Sequence, residues 1–201
     1  ADMSTGKWGY ALFGSLEGAT VRNLMLGDPD TDITWTFTGD APKATSVASL
    51  AAYALDSTIE SCTNYYNIDF AGDCGSETFC VASGLVGMIR NSTVGGRAKS
   101  LGCVNYGFVR TGKITNNASG GTGMQTAGIC GFMAKEANDN LIQFCVNYGH
   151  ISCPTGRTGG LVGTLMCGNV KNSDNRGTIE DDVVGKFEGA AAQNSYNNKR
   201  M

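Results

Sequence analysis

The chain has 201 residues, long enough to bury a substantial core, and carries 15 Lys and Arg against 18 Asp and Glu with a single His. A net charge of −3 on a chain that is only 16 % charged leaves no basic footprint for nucleic acid or an anionic membrane, and no run of about eighteen apolar residues marks a membrane span. Glycine at 29 residues is roughly twice its ordinary usage and proline stands at only 3, which predicts many tight corners.

Taken from the N-terminus, the chain enters a repeating pattern within a few residues. ALFG at Ala11–Gly14 is its first, degraded form. An acid-rich turn follows, in which Asp28, Asp30 and Asp32 alternate around Pro29. These three are the candidate calcium ligands, because Ca²⁺ takes hard oxygens, although turns are rich in Asp for backbone reasons as well. Ile33–Thr38, ITWTFT, alternates as a strand with Ile33, Trp35 and Phe37 on one side. Trp35 is read either as core or, if the insertion from Gly27 to Val47 projects, as a ligand-binding platform for a sugar ring.

The second unit keeps SLAAY at Ser49–Tyr53 and CTNYYN at Cys62–Asn67, followed by the loop GDCGSETFC at Gly72–Cys80. Cys74 and Cys80 stand outside the repeat there and could close a small disulfide ring in an exported protein. The third unit is the clearest, with GLVG at Gly84–Gly87 and CVNYG at Cys103–Gly107. GICG at Gly128–Gly131 with CVNYG at Cys145–Gly149 makes the fourth unit, and GLVG at Gly160–Gly163 with SDNRG at Ser173–Gly177 the fifth. Aligning the blocks on Leu12, Leu50, Leu85, Ile129 and Leu161 gives spacings of 38, 35, 44 and 32 residues. A block returning in constant internal order at irregular spacing reads as a repeat array with loops inserted between fixed strands.

Within each unit the runs are short, β-branched or aromatic, and bounded by Gly and Asn, which predicts strands. The helix candidates Lys43–Leu55 and Met133–Phe144 both overlap repeat positions. The expected fold is therefore all-β: a parallel β-helix, or β-solenoid, of about five irregular coils with inserted loops. It forms one repeat domain over 1–201, with units at about 10–48, 49–83, 84–127, 128–159 and 160–186, and 187–201 as cap or tail.

Stacked coils put like on like at about the 4.8 Å spacing of neighbouring strands. Leu12, Leu50, Leu85, Ile129 and Leu161 are then one aliphatic ladder, and Ile89, Met133 and Leu165 a second of the same parity. Cys62, Cys103 and Cys145, with Ser173 in the last coil, form a third. Asn64, Asn105, Asn147 and Asn175 form a fourth, whose amides can bond along the column as in cross-β assemblies. Gly107, Gly149 and Gly177 come next, where a turn with φ > 0 is expected. Cys62, Cys103, Cys130, Cys145 and Cys167 read as buried thiols acting as small hydrophobes, since side-by-side Cβ vectors disfavour a bridge.

GLVG followed by C-x-N-x-G in tandem, from about Tyr10 to Gly185, resembles the GLUG-type repeat of bacterial surface and adhesin-like proteins of Bacteroides-type bacteria. The resemblance implies a right-handed β-solenoid on an exported protein, at the cell surface or secreted, with no enzymatic activity and no cofactor assigned to the repeat. Units one and two depart from the pattern, lacking its first glycine. No charged-then-apolar leader opens the sequence, so localisation rests on the resemblance, and the abrupt start reads as a mature fragment.

The residues announce no chemistry. His150 has no argued nucleophile beside it, GGTGMQT at Gly120–Thr126 lacks the lysine of a phosphate loop, and no CxxC pair offers a zinc site. A polysaccharide-degrading enzyme of the parallel β-helix type would need carboxylates converging from neighbouring coils, yet Glu60 aligns with neutral Leu101 and Gln143. The expected function is a non-enzymatic repeat protein presenting loops for adhesion or contact with glycans or host and neighbouring cell-surface proteins. A β-helix enzyme and a structural spacer for another domain are the alternatives.

Overall fold

The structure, a computed structural model, describes residues 9–38, 45–72, 79–112, 124–134, 140–154, 156–179, 191–193 and 196–197, the last two stretches as backbone only. The described chain winds as a β-solenoid in which every strand pairing is parallel. Five sheets run the length of the coil stack.

The first sheet joins Gly9–Tyr10, Thr45–Ala48, Cys80–Ser83, Met124–Ala127 and Arg157–Gly159. The second carries the GLVG blocks: Leu16–Glu17, Ala51–Leu55, Val86–Arg90, Cys130–Met133 and Val162–Leu165. The third joins Thr20–Arg22, Thr58–Glu60, Thr93–Val94, Leu141–Gln143, Asn169–Lys171 and Ala191–Gln193. The fourth, hereafter the Asn face, joins Met25–Leu26, Thr63–Asn64, Val104–Asn105, Val146–Asn147, Asp174–Asn175 and Tyr196–Asn197. The fifth joins Thr34–Phe37, Asn67–Phe70, Val109–Thr111 and Ile151–Ser152.

Each coil thus begins one strand before its GLVG block, at a position where TSVA, CVAS and MQTA share no letter pattern. The unit boundaries read from the blocks miss that strand. Residues 187–201, expected as cap or tail, include two strands that begin a sixth turn: Ala191–Gln193 pairs with Asn169–Lys171, and Tyr196–Asn197 with Asp174–Asn175.

The interior is filled in two clusters. The larger contains Leu50, Leu85, Ile129, Leu161, Ile89, Met133 and Leu165, all wholly buried. The smaller contains Phe37, Val47, Ile68, Phe70, Val109 and Ile151, between the first and fifth sheets. Leu12 departs from its predicted ladder, being 50 % exposed. It falls where the register against the second coil slips: Tyr10 pairs with Val47, 37 residues on, whereas Phe13 pairs with Ala51, 38 residues on. Phe13 packs on the core instead.

The glycines follow packing more than torsion. A Cβ on Gly107, Gly149 or Gly177 would overlap the carbonyl oxygen of Tyr66, Gly107 or Gly149 in the coil before, and none of the three has positive φ. The turn expected there is therefore a close approach of backbones. The left-handed corners are filled mainly by Asn23, Asp56, Ser61, Asn91 and Asn172, residue types whose short polar side chains tolerate that region.

Cys62, Cys103 and Cys145 are buried free thiols, as is Cys130, which stands between Val86 and Val162. Cys167 is also free but half-buried. Cys80, expected in a loop, begins the first-sheet strand of the third coil, is wholly buried and is disulfide-bonded. Cys74 lies outside the described residues.

Candidate binding face

The Asn face is organised from inside. Asn64, Asn105, Asn147 and Asn175 are wholly buried, and the Nδ2 of each of the first three donates to the Oδ1 of the next coil's Asn, at 2.8, 2.8 and 2.7 Å. Each Nδ2 also donates to the carbonyl two residues on, that of Tyr66, Gly107, Gly149 or Gly177, at 2.8–3.0 Å. Buried amides this fully bonded contribute stability without leaving orphan donors. Leu26 ends the column in the first coil by pairing with Asn64, and at the other end Asn197 pairs with Asn175.

Because strand side chains alternate, the residue after each Asn points outward. In three successive coils it is tyrosine. Tyr65 and Tyr106 stack with centroids 4.9 Å apart and planes 2° apart, and Tyr106 and Tyr148 stack at 4.9 Å and 6°. Tyr106 and Tyr148 are 45 % and 40 % exposed. The Tyr106 hydroxyl is held above its ordinary pKa, first by partial burial and then by the neighbouring phenols. Arg176 continues the column: its guanidinium lies 5.6 Å from the Tyr148 ring centroid, Nη1 donates to the Tyr148 hydroxyl at 3.1 Å, and Nε donates to Asp174 Oδ2 at 2.7 Å.

A groove of about 530 Å³ runs beside the stack, lined by Lys99, Phe144, Val146, Asn172, Asp174 and Arg176. Lys99 reaches it from an insertion. Thr58 pairs with Thr93, 35 residues on, but Thr63 pairs with Val104, 41 residues on, so six residues are added between those strands. They hold the short 3₁₀ turn Lys99–Leu101. Phe144 has φ of 54°, in a corner position aligned with Asn172 and filled by Ser61 and Asn23 in the first coils. An aromatic residue there costs on the order of 1–3 kcal/mol. A second hollow of about 370 Å³ on the other side of the inserted turn is lined by Glu60, Thr93, Arg97 and Gln143, among others.

The residues singled out in the sequence lie elsewhere. Trp35 is not on a projecting loop: it pairs with the buried Ile68 in the fifth sheet, is half-buried against the smaller core cluster, and meets Tyr66 at 4.9 Å and 32°. Residues 39–44 of that insertion lie outside the described residues. Asp28, Asp30 and Asp32 do not converge. Asp28 accepts from the Asp30 backbone N–H at 2.8 Å, and Asp32 accepts from the Asn67 amide. Among the described residues no group of three His, Cys, Asp or Glu could hold a metal ion.

Glu60 faces Arg22 at 3.4 Å, and its neighbour in the third coil is Gly95, because Leu101 belongs to the inserted turn. Asp69 is held by Arg110 through two bonds of 2.8 and 3.2 Å. His150 Nδ1 lies 2.6 Å from Thr178 Oγ1 at the surface. No helix among the described residues is long and apolar enough to cross a membrane. Set against known protein families, curated proteins and solved structures, the chain matches none.

Proposed function

We propose that the protein is a non-enzymatic binding scaffold of the GLUG-repeat type, exported to the cell surface or secreted, whose Asn face makes contact with glycans. The observation that carries this reading is the outward-facing stack of Tyr65, Tyr106 and Tyr148, the last two exposed, beside an open groove. Aromatic side chains combine an apolar body with a polar tip, the character of a surface built for recognition, and here they are held rigid by the bonded Asn column beneath them. The disulfide at Cys80 fits an oxidising compartment. The acids on these faces sit against Arg22, Arg110 and Arg176, an arrangement that suits surface ion pairs better than a general acid and base.

The test is an array of glycans and extracellular-matrix proteins probed with the purified chain. Reproducible binding to a defined group of glycans supports the reading. Silence across the array favours a spacer that raises another domain, and product release from a polysaccharide would favour the β-helix enzyme.

A further inference from the structure

The groove lined by Lys99 of the inserted turn carries more charge than the tyrosine stack. Its two cations differ in how far they are engaged. Arg176 spends Nε on Asp174 and Nη1 on Tyr148, leaving Nη2 without a hydrogen bond among the described residues. The Lys99 ammonium, exposed on the inserted turn, has no carboxylate partner among them. Asp174 is the one acid lining the space, so Lys99, Arg176 and Asp174 together leave one positive charge. The groove is also lined by Phe144, whose backbone takes a corner that Asn, Ser and Asn fill in other coils, and by Val146, half-buried on the Asn face. A groove lined by an aromatic and an aliphatic side chain together with two cations is complementary to a ring with one apolar side and one carboxylate.

We propose that this groove binds a carboxylate-bearing sugar of a glycan, with the carboxylate between Lys99 and Arg176 and the ring's apolar side on Phe144 and Val146. This rests on the glycan-binding reading above. Arg176 donates to one carboxylate oxygen through Nη2 and Lys99 to the other, a charge-assisted pair whose strength falls with salt because both cations are exposed. Phe144 lines the groove from a backbone corner with φ of 54°.

The experiment compares an oligogalacturonate with its methyl ester by titration calorimetry, using the wild-type chain, Lys99→Glu and Phe144→Asn. The expected result is binding of the acidic oligosaccharide, weakened about tenfold or more by Lys99→Glu and by the methyl ester, and weakened by rising salt. Phe144→Asn should lose binding while its melting temperature holds or rises, an outcome that a purely structural role for the ring would not give. Equal binding of acid and ester, unchanged in Lys99→Glu, overturns the carboxylate site while leaving the glycan reading standing. A sialylated and a sulfated oligosaccharide complete the series. Binding of the sulfated probe alone overturns the carboxylate assignment, and failure of every oligosaccharide, neutral ones included, overturns both readings.

Discussion

Gly84 and Asn105 are in contact: a Cβ on Gly84 would overlap the Asn105 side-chain amide and the carbonyl oxygen of Gly128 in the next coil. The same relation joins Gly128 to Asn147 and Gly160 to Asn175. The two halves of the repeat, GLVG and C-x-N-x-G, therefore meet inside each of these coils, and the first glycine exists to admit the Asn ladder.

Gly84→Ala should consequently destabilise the fold by about 1–3 kcal/mol, the cost of overpacking a closed interior. Gly14→Ala is the control, since a Cβ there meets nothing within 4 Å, and its effect should stay within about 0.5 kcal/mol. Urea unfolding monitored by circular dichroism separates the two. Equal effects would show that the contact is not what selects glycine.

Asn105→Ala removes a donor from one neighbour and an acceptor from another, leaving the Asn64 Nδ2 without its partner on that side. The expected loss is about 2–4 kcal/mol. Asn64→Leu should cost less, because Asn64 has one ladder bond and already stands beside Leu26. If the two variants unfold at the same denaturant concentration, the amide chain is not cooperative.

The buried thiols set an alkaline limit. Burial pushes Cys130 up to about 12, and Cys62 and Cys103 are raised first by hydrogen bonding to the next thiol of the column, Cys103 and Cys145, with burial adding to it. A raised thiol keeps its proton in the folded chain after the unfolded chain has lost it. The unfolded state then binds fewer protons, and stability falls as pH rises. The contribution is whole below the ordinary thiol value of 9.0 and drains away above it, for Cys130 up to about 12. Melting temperatures between pH 7 and 11 should fall from about pH 9 onward, and iodoacetamide at pH 8 should leave Cys130 unmodified until urea unfolds the chain.

Phe144→Asn should keep or raise stability, by up to about 1 kcal/mol, because Asn suits φ of 54° and the lost ring is half-buried. A drop of more than about 2 kcal/mol would mean that the ring is a core residue and not a groove wall.

The columns were legible wherever the repeat kept its letters. Asn105 and Asn147 lie in identical CVNYG blocks, and their pairing follows from the alignment alone. The Tyr106–Tyr148 stack was written in the same blocks, and the outward parity of the position after Asn was the signal that could have found it. Leu12 could not be placed, because a one-residue slip between Tyr10 and Phe13 leaves no mark in a degraded ALFG. The first-sheet strands leave no period in the sequence because TSVA, CVAS and MQTA are buried along their whole length and do not alternate. In the second sheet, a Cβ on Gly87 or Gly131 would overlap Ser46 or Val81 of those strands, so the second glycine of the block records the packing without naming its partner. Trp35 reads in the sequence as an aromatic in an insertion, yet Thr34–Phe37 is a strand of the coil itself.

The most direct test of the binding face compares the wild-type chain with a Tyr106→Ser, Tyr148→Ser double variant on the same glycan array. Both rings are exposed and the Asn ladder beneath them is untouched, so the variant should keep its circular dichroism spectrum. The account predicts that it loses the glycan signals the wild type shows. A folded double variant that retains every signal would contradict it and place binding away from the tyrosine stack.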